Sequence, residues 1–186
     1  DWQFVPEFKD ELLQCENWPE AQNVTLPHTV KETPFHYFDE TEYQMISGYH
    51  TVLNIPEEWK DKIVLLTFEG AAHVAEVYLN GTLIGTHGCG YTAFTLKLDC
   101  LKAGQPNHLV VKLDSRECVN VPPFGNVIDY MTYGGIYREV FLDIKNKLYI
   151  SDVFPKVSIN DDNIVLACEV KCVNNEGASI RQELYD

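Results

Sequence analysis

Basic residues are scarce in this sequence. Fourteen Lys and Arg stand against 28 Asp and Glu among 186 residues, for a net charge of -14. A chain so acidic repels the phosphates of nucleic acid and of anionic lipid, so nucleic acid and membrane are not expected partners. Long hydrophobic runs are missing too: none approaches the roughly 18 residues a membrane span requires. The start at Asp1 has neither the basic flank nor the apolar stretch of a secretory leader, although a leader already removed would leave no trace. Also lacking are internal repeats, low-complexity segments, and any convincing 3.6-residue periodicity over three turns. Only Phe8 to Cys15 and Pro56 to Lys60 read as short helical candidates.

Close cysteine pairs are absent as well. Six cysteines stand at 15, 89, 100, 118, 168 and 172, none with the two-residue spacing of a zinc ribbon. Cys168 and Cys172 share a face of one alternating run, about 13 Å apart at about 3.3 Å per residue. A disulfide needs Cα atoms within roughly 7 Å, so free, mostly buried thiols and a reducing, cytoplasmic compartment are expected.

What the sequence has is apolar alternation with period two. Hydrophobic residues make up 45% of the chain, including 3 Trp, 10 Tyr and 9 Phe, enough for a packed core. Strands are expected at Gly48 to Ile55, Ile63 to Phe68, Val74 to Leu79 and Thr82 to Gly85. Further strands read from the alternation of Phe94, Leu96 and Leu98, of Leu109, Val111 and Leu113, and of Ile136, Val140, Leu142 and Ile144. Asn80-Gly81 between two of them is a hairpin signal, because a type I′ turn needs positive φ at both central residues. Arg138 is placed on the face of Ile136 and Val140, where it either pairs with a buried carboxylate or emerges at a sheet rim. Many short strands with regular turns must bury their apolar faces sheet against sheet, so the expected fold is all-β, an antiparallel sandwich.

A boundary is read near Lys145-Asn146-Lys147. Beyond it, Leu148 to Ile159, Ile164 to Val173 and Ile180 to Tyr185 read as three more strands. Three are too few to close a sandwich of about seven, so the chain is expected to stop inside a second domain.

Several runs then stand in a telling order: Trp2-Gln3-Phe4, Trp18, Leu26-Pro27-His28, Gly48-Tyr49, Phe68 to Gly81, and Gly90-Tyr91-Thr92-Ala93-Phe94. Ala103-Gly104-Gln105-Pro106-Asn107 and Gly134-Gly135-Ile136-Tyr137-Arg138 follow. Together they resemble the N-terminal sugar-binding domain of glycoside hydrolase family 2, which holds β-galactosidases, β-glucuronidases and β-mannosidases. The resemblance implies a jelly-roll β-sandwich, galactose-binding-domain-like, over residues 1–146. It implies the opening strands of a truncated immunoglobulin-like sandwich over 147–186. The retaining chemistry of the family uses two glutamates on a (β/α)₈ barrel absent from this chain, so no catalytic residue is expected here. Asn175-Glu176 imitates the family's acid/base pair, but between Asn174 and Gly177 it reads as a solvated turn.

The resemblance also implies one glycone-contacting acid. Asp129, six positions before Gly135 of the Gly-Ile-aromatic-Arg run, has the spacing of an aspartate that reaches from this domain into the barrel's sugar pocket. An ionised carboxylate accepts two sugar hydroxyls at once. In some β-galactosidases the corresponding acid also touches a sodium ion. A monovalent or divalent cation therefore belongs to the parent enzyme if anywhere, and no cofactor or metal site is expected within this chain. The asparagine that some β-galactosidases place before the strand-opening glycine is not carried over, since Met45 and Ile46 precede Ser47-Gly48.

The functional reading is a noncatalytic part of a β-galactosidase-like enzyme that hydrolyses terminal β-linked sugars. Its expected partners are a β-glycoside or oligosaccharide substrate, its own barrel and, in the intact enzyme, further copies of itself. The alternative is a self-standing carbohydrate-binding module or lectin using Trp18, Trp59 and Tyr91 as stacking platforms. A third reading is an interaction scaffold without sugar binding.

Overall fold

In the computed structural model, residues 1–36, 39–121, 132–160, 163–174 and 176–185 are described. Two antiparallel sheets face each other. The larger contains β1 (Trp2–Val5), β2 (Gln22–Val24), β3 (Ile46–Asn54), β5 (Val74–Leu79), β6 (Thr82–His87) and β8 (Pro106–Asp114), in the order β2-β1-β3-β8-β5-β6. The smaller is β7-β4-β9, with β4 (Ile63–Phe68) between β7 (Phe94–Lys97) and β9 (Val140–Lys145). The observed fold is the antiparallel β-sandwich that the alternation predicts.

The inner faces make one core. Tyr49, Val77, Leu79, Leu109, Val111 and Leu113 from the large sheet meet Val64, Leu66 and Phe68 from the small one, all buried. Phe68 and Phe94, directly opposite across β4 and β7, stack with centroids 4.8 Å apart. Burying one such side chain contributes about 1.5–3 kcal/mol, so this layer dominates stability. The outer face of the large sheet is covered as well: Val5, Trp18 and Val110 pack with Phe8, Leu12 and Tyr78 beneath the N-terminal segment. Val110, on the face of β8 opposite Leu109 and Val111, is buried there for this reason.

The Asn80-Gly81 turn forms as expected, with φ of 51° and 78° joining β5 to β6. Both helical candidates are single 3₁₀ turns, Asp10–Gln14 and Glu57–Trp59. No helix among the described residues is long and apolar enough to cross a membrane.

Two expectations are corrected, and the alternative at Arg138 is decided. Ile136 lies outside the strand it was expected to open: β9 begins only at Val140, because Gly135 takes φ of 126° and breaks the extended run. Arg138 is exposed and outside β9, so of its two readings emergence at a rim holds and the buried pair does not. Residues 176–185 contain no strand, so Ile180 to Tyr185 is irregular; an extended segment needs a paired edge to persist.

After residue 146 the chain forms one hairpin, β10 (Tyr149–Asn160) with β11 (Asn163–Val173), in antiparallel register from Tyr149↔Val173 to Asn160↔Asn163. Cys168 faces Pro155 and Cys172 faces Ile150 across it; all six cysteines are unbonded, but contrary to expectation none is buried, Cys100 and Cys118 being exposed and the others half-buried.

Candidate functional site: the anchors of the β8–β9 connection

The segment between β8 and β9 is tied down at both ends. On the outgoing side, Ser115 is 1% exposed. Its hydroxyl donates to the Tyr43 carbonyl at 2.5 Å and accepts from the Met45 N–H at 3.2 Å. The Ser115 N–H donates to the Met45 carbonyl at 2.9 Å. Next to it, the Arg116 guanidinium grips the Asp114 carboxylate through Nε at 2.9 Å and Nη2 at 2.6 Å. Burial pushes the Asp114 carboxyl up, but the hydrogen bonds and charge of Arg116 outweigh it and hold the group below its ordinary range.

On the returning side, the buried Thr132 donates from Oγ1 to Glu117 Oε1 at 2.9 Å, closing the base of the loop. The Val30 N–H donates to the Gly134 carbonyl at 3.0 Å and the His28 N–H to the Ile136 carbonyl at 2.8 Å. Gly135 and Ala72 exchange backbone hydrogen bonds of 2.9 and 3.3 Å. Only glycine fits at 135: its φ is 126°, and a Cβ would lie 2.4 Å from the His28 carbonyl oxygen. His28 is fixed in turn, its Nδ1 accepting from the buried Tyr49 hydroxyl at 2.9 Å. Burial pushes the Tyr49 phenol well up against a weaker opposing hydrogen bond from Ile136, so it stays a donor.

Beside these anchors lies His73. It is 2% exposed, and among the described residues neither ring nitrogen has a hydrogen-bond partner. Its backbone N–H donates to the Asp114 carbonyl at 3.0 Å. Burial lowers its pKa, with Glu117 and Asp114 opposing, so the ring is neutral at pH 7. Sequence reasoning gave His73 no role. Its only signal is a titratable residue just before an alternating strand.

Asp129, the acid the resemblance singles out, lies outside the described residues, as does Asn175. The described part therefore supplies the anchors of this loop and not its tip. Glu176 is exposed. Of the three proposed aromatic platforms, Trp18 is 4% exposed and belongs to the core cluster under the N-terminal segment, which corrects that assignment. Trp59 is half-buried and Tyr91 exposed. Among the described residues no group of three or more His, Cys, Asp or Glu is placed to hold a metal.

A jelly-roll sandwich with a long, doubly anchored connection at its rim is a scaffold for presenting a loop to a neighbour or ligand. Residues 7–146 match the sugar binding domain of glycosyl hydrolases family 2, and the chain belongs to that family. It is 36% identical to a β-galactosidase of Thermoanaerobacterium thermosulfurigenes, over 97% of this chain and 26% of that protein. It is 35% identical to a β-glucuronidase of Bacteroides fragilis, over 77% of this chain and 22% of that protein. Among solved structures, β-glucuronidase 2 of Bacteroides uniformis superposes with a TM-score of 0.77 at 24% identity, over 90% of this chain and 20% of that one. That likeness concerns the fold alone. The chain thus spans about a quarter of the length of the curated relatives it matches, or less.

Proposed function

We propose that this chain is the N-terminal, noncatalytic part of a retaining family 2 glycosidase, of the β-galactosidase kind, that removes terminal β-linked sugars. Residues 1–146 are its sugar-binding domain. Residues 147–186 open an immunoglobulin-like second domain, and a (β/α)₈ barrel elsewhere in the protein carries both catalytic carboxylates. The domain braces that barrel and lends Asp129 to the glycone pocket.

The observation that carries this reading is the double anchoring of the loop. Ser115, Glu117, Thr132, Gly134 and Gly135 hold its two ends through buried or strained contacts. A carboxylate meant to meet a substrate bound on another domain needs that fixity, because a loosely held acceptor loses its binding energy to ordering. Two charge-assisted hydrogen bonds from glycone hydroxyls contribute roughly 1.5–3 kcal/mol each. The lectin alternative loses one of its three platforms, since Trp18 is core.

Release of nitrophenol from nitrophenyl β-galactoside tests the division of labour. The 186-residue chain is expected to give none above buffer, whereas the protein joining it to its barrel turns over. Turnover by the purified chain that survives repurification would overturn the noncatalytic assignment.

A further inference from the structure

Residues 6–21 cross the outer face of the large sheet without joining it as a strand. Apolar contact holds this strap, with Phe8, Leu12 and the buried Trp18 packed against Val5 and Val110. Beneath it β3 offers bare backbone at Gly48, where a Cβ would stand 2.6 Å from Phe8 and 2.8 Å from Trp18. The Phe8 N–H donates to the Ile46 carbonyl at 2.8 Å, and the Trp18 indole N–H donates to the Leu12 carbonyl within the strap at 3.1 Å.

The next outward residue of β3 is a histidine. His50 is buried under Trp18, with ring centroids 5.4 Å apart. An apolar residue would pack there without the cost of desolvating an imidazole. Nδ1 of His50 is 2.8 Å from Gln3 Oε1 on β1, and Nε2 is 3.1 Å from His108 Nδ1 on β8, the two imidazoles parallel within 2°. With the Gln3 oxygen accepting, neutral His50 carries its proton on Nδ1 and accepts that of His108 on Nε2. One added proton is shared across the 3.1 Å contact by moving His108 to its other tautomer. A second sets two cations and two donors face to face. A cleft of about 300 Å³, lined by Asp1, Gln3, Glu16, Asn17 and His50 among others, opens beside the pair.

We propose that residues 6–21 are an acid-released strap whose trigger is the His50–His108 pair. Protonation places charge beneath Trp18, where the strap rests, and release returns the pair to water and bares Val5 and Val110. The Trp18 face and the cleft carboxylates of Asp1 and Glu16 favour the charged rings. Lys112, further along β8, is offset by Glu76 at 3.5 Å and Asp10 at 3.9 Å. Cys15 donates to the Glu11 carbonyl and Tyr78 to Glu76, while Glu7, Lys9, Glu11 and Glu20 are exposed. Burial outweighs the attraction and, with the charge of His108, lowers the His50 pKa from 6.5 to about 4. The released form therefore binds the proton more readily, and release grows as pH falls below about 6.5, by about twentyfold between pH 7 and pH 5. This device is independent of Asp129 and of the proposed glycosidase role.

Amide hydrogen exchange of the 186-residue chain at pH 7 and pH 5, corrected for intrinsic rates, reads the opening constant at each position. At Phe8 it is expected to rise about twentyfold at pH 5 and to exceed that of Val111, in the core of β8, at both pH values. In His50→Gln the rise is expected to shrink to within about twofold. In Trp18→Ala, which takes the cover from the pair, the His50 ring followed by NMR is expected to titrate near 6.5 instead of about 4. A rise at Phe8 of less than about threefold, opening constants equal at Phe8 and Val111, a rise kept in His50→Gln, or an unchanged His50 titration in Trp18→Ala would each overturn the proposal.

Discussion

The sandwich and the hairpin share one sequence pattern and differ in what that pattern meets. In β4 and β8 the alternating residues find a second sheet, and Leu66 and Leu109 are 1% and 0% exposed. In β10 and β11 no second sheet covers them among the described residues: Ile159 and Ile164 are 73% and 74% exposed, and Val153, Phe154 and Leu166 are about half exposed. Alternation therefore specifies which side of a strand is apolar, while burial depends on a partner layer supplied from elsewhere in the chain. A two-stranded hairpin is marginal by itself, so the apolar faces of β10 and β11 are the part of this chain that most needs a neighbour. On the proposed reading, the rest of the second domain would supply that neighbour.

The contrast is sharpest in stability. Leu66→Ala or Leu113→Ala is expected to cost about 2–5 kcal/mol by urea unfolding, since each leaves a cavity in a closed core. Ile164→Ala is expected to change the same transition by less than about 0.5 kcal/mol. A hairpin variant as damaging as a core variant would break the comparison. Glycines repeat it on a smaller scale. Gly135→Ala meets both a φ of 126° and the His28 carbonyl and is expected to cost about 2–4 kcal/mol. Gly177→Ala has a φ of 72° but open space around it and should cost about 1 kcal/mol.

Histidine protonation should act on the sandwich alone, because residues 147–186 contain no histidine. His50 is buried between Trp18 and His108, with Nδ1 2.8 Å from Gln3 Oε1 and Nε2 3.1 Å from His108 Nδ1. Burial, and secondarily the charge of His108, lowers its pKa from 6.5 to about 4. The unfolded chain thus binds the proton more readily. The contribution of neutral His50 is complete above about pH 6.5 and is lost as pH falls toward about 4, on the order of 3 kcal/mol at most. Unfolding measured across that window should show the loss in the parent and a flatter dependence in His50→Gln. The smallest effect is expected on the hairpin surface. Lys171→Ala removes an exposed pair with Asp152 and should shift stability by less than about 0.5 kcal/mol.

Local rules made the strands legible. β4 and β5 match their predicted ends, and Asn80-Gly81 marks its hairpin, because alternation and turn chemistry are set within a few residues. The departures come from long-range geometry. Gly135 takes its positive φ to pass the 28–30 segment, which carries Ile136 out of β9 and turns Arg138 to solvent. Ile180 to Tyr185 has the composition of a strand but no paired edge. At the candidate site, Asp129 was visible only through its spacing from a family motif. The anchors were not visible at all, since Ser115 and Tyr43 lie 72 positions apart in sequence. The unpartnered state of His73 depends on burial beside Asp114, which no local pattern encodes.

The claim at the centre is that this noncatalytic domain lends an acid to a sugar pocket on another domain. The direct measurement is kcat/KM of the protein joining this chain to its barrel, on nitrophenyl β-galactoside, for the parent, Asp129→Asn and Asp39→Asn. Asp39 is an exposed control whose carboxylate only caps the turn at 40–43 through Thr41. Asp129→Asn keeps the size and removes the charge, and a fall of at least about tenfold is predicted, with Asp39→Asn near the parent. A value for Asp129→Asn within about twofold of the parent would contradict the account.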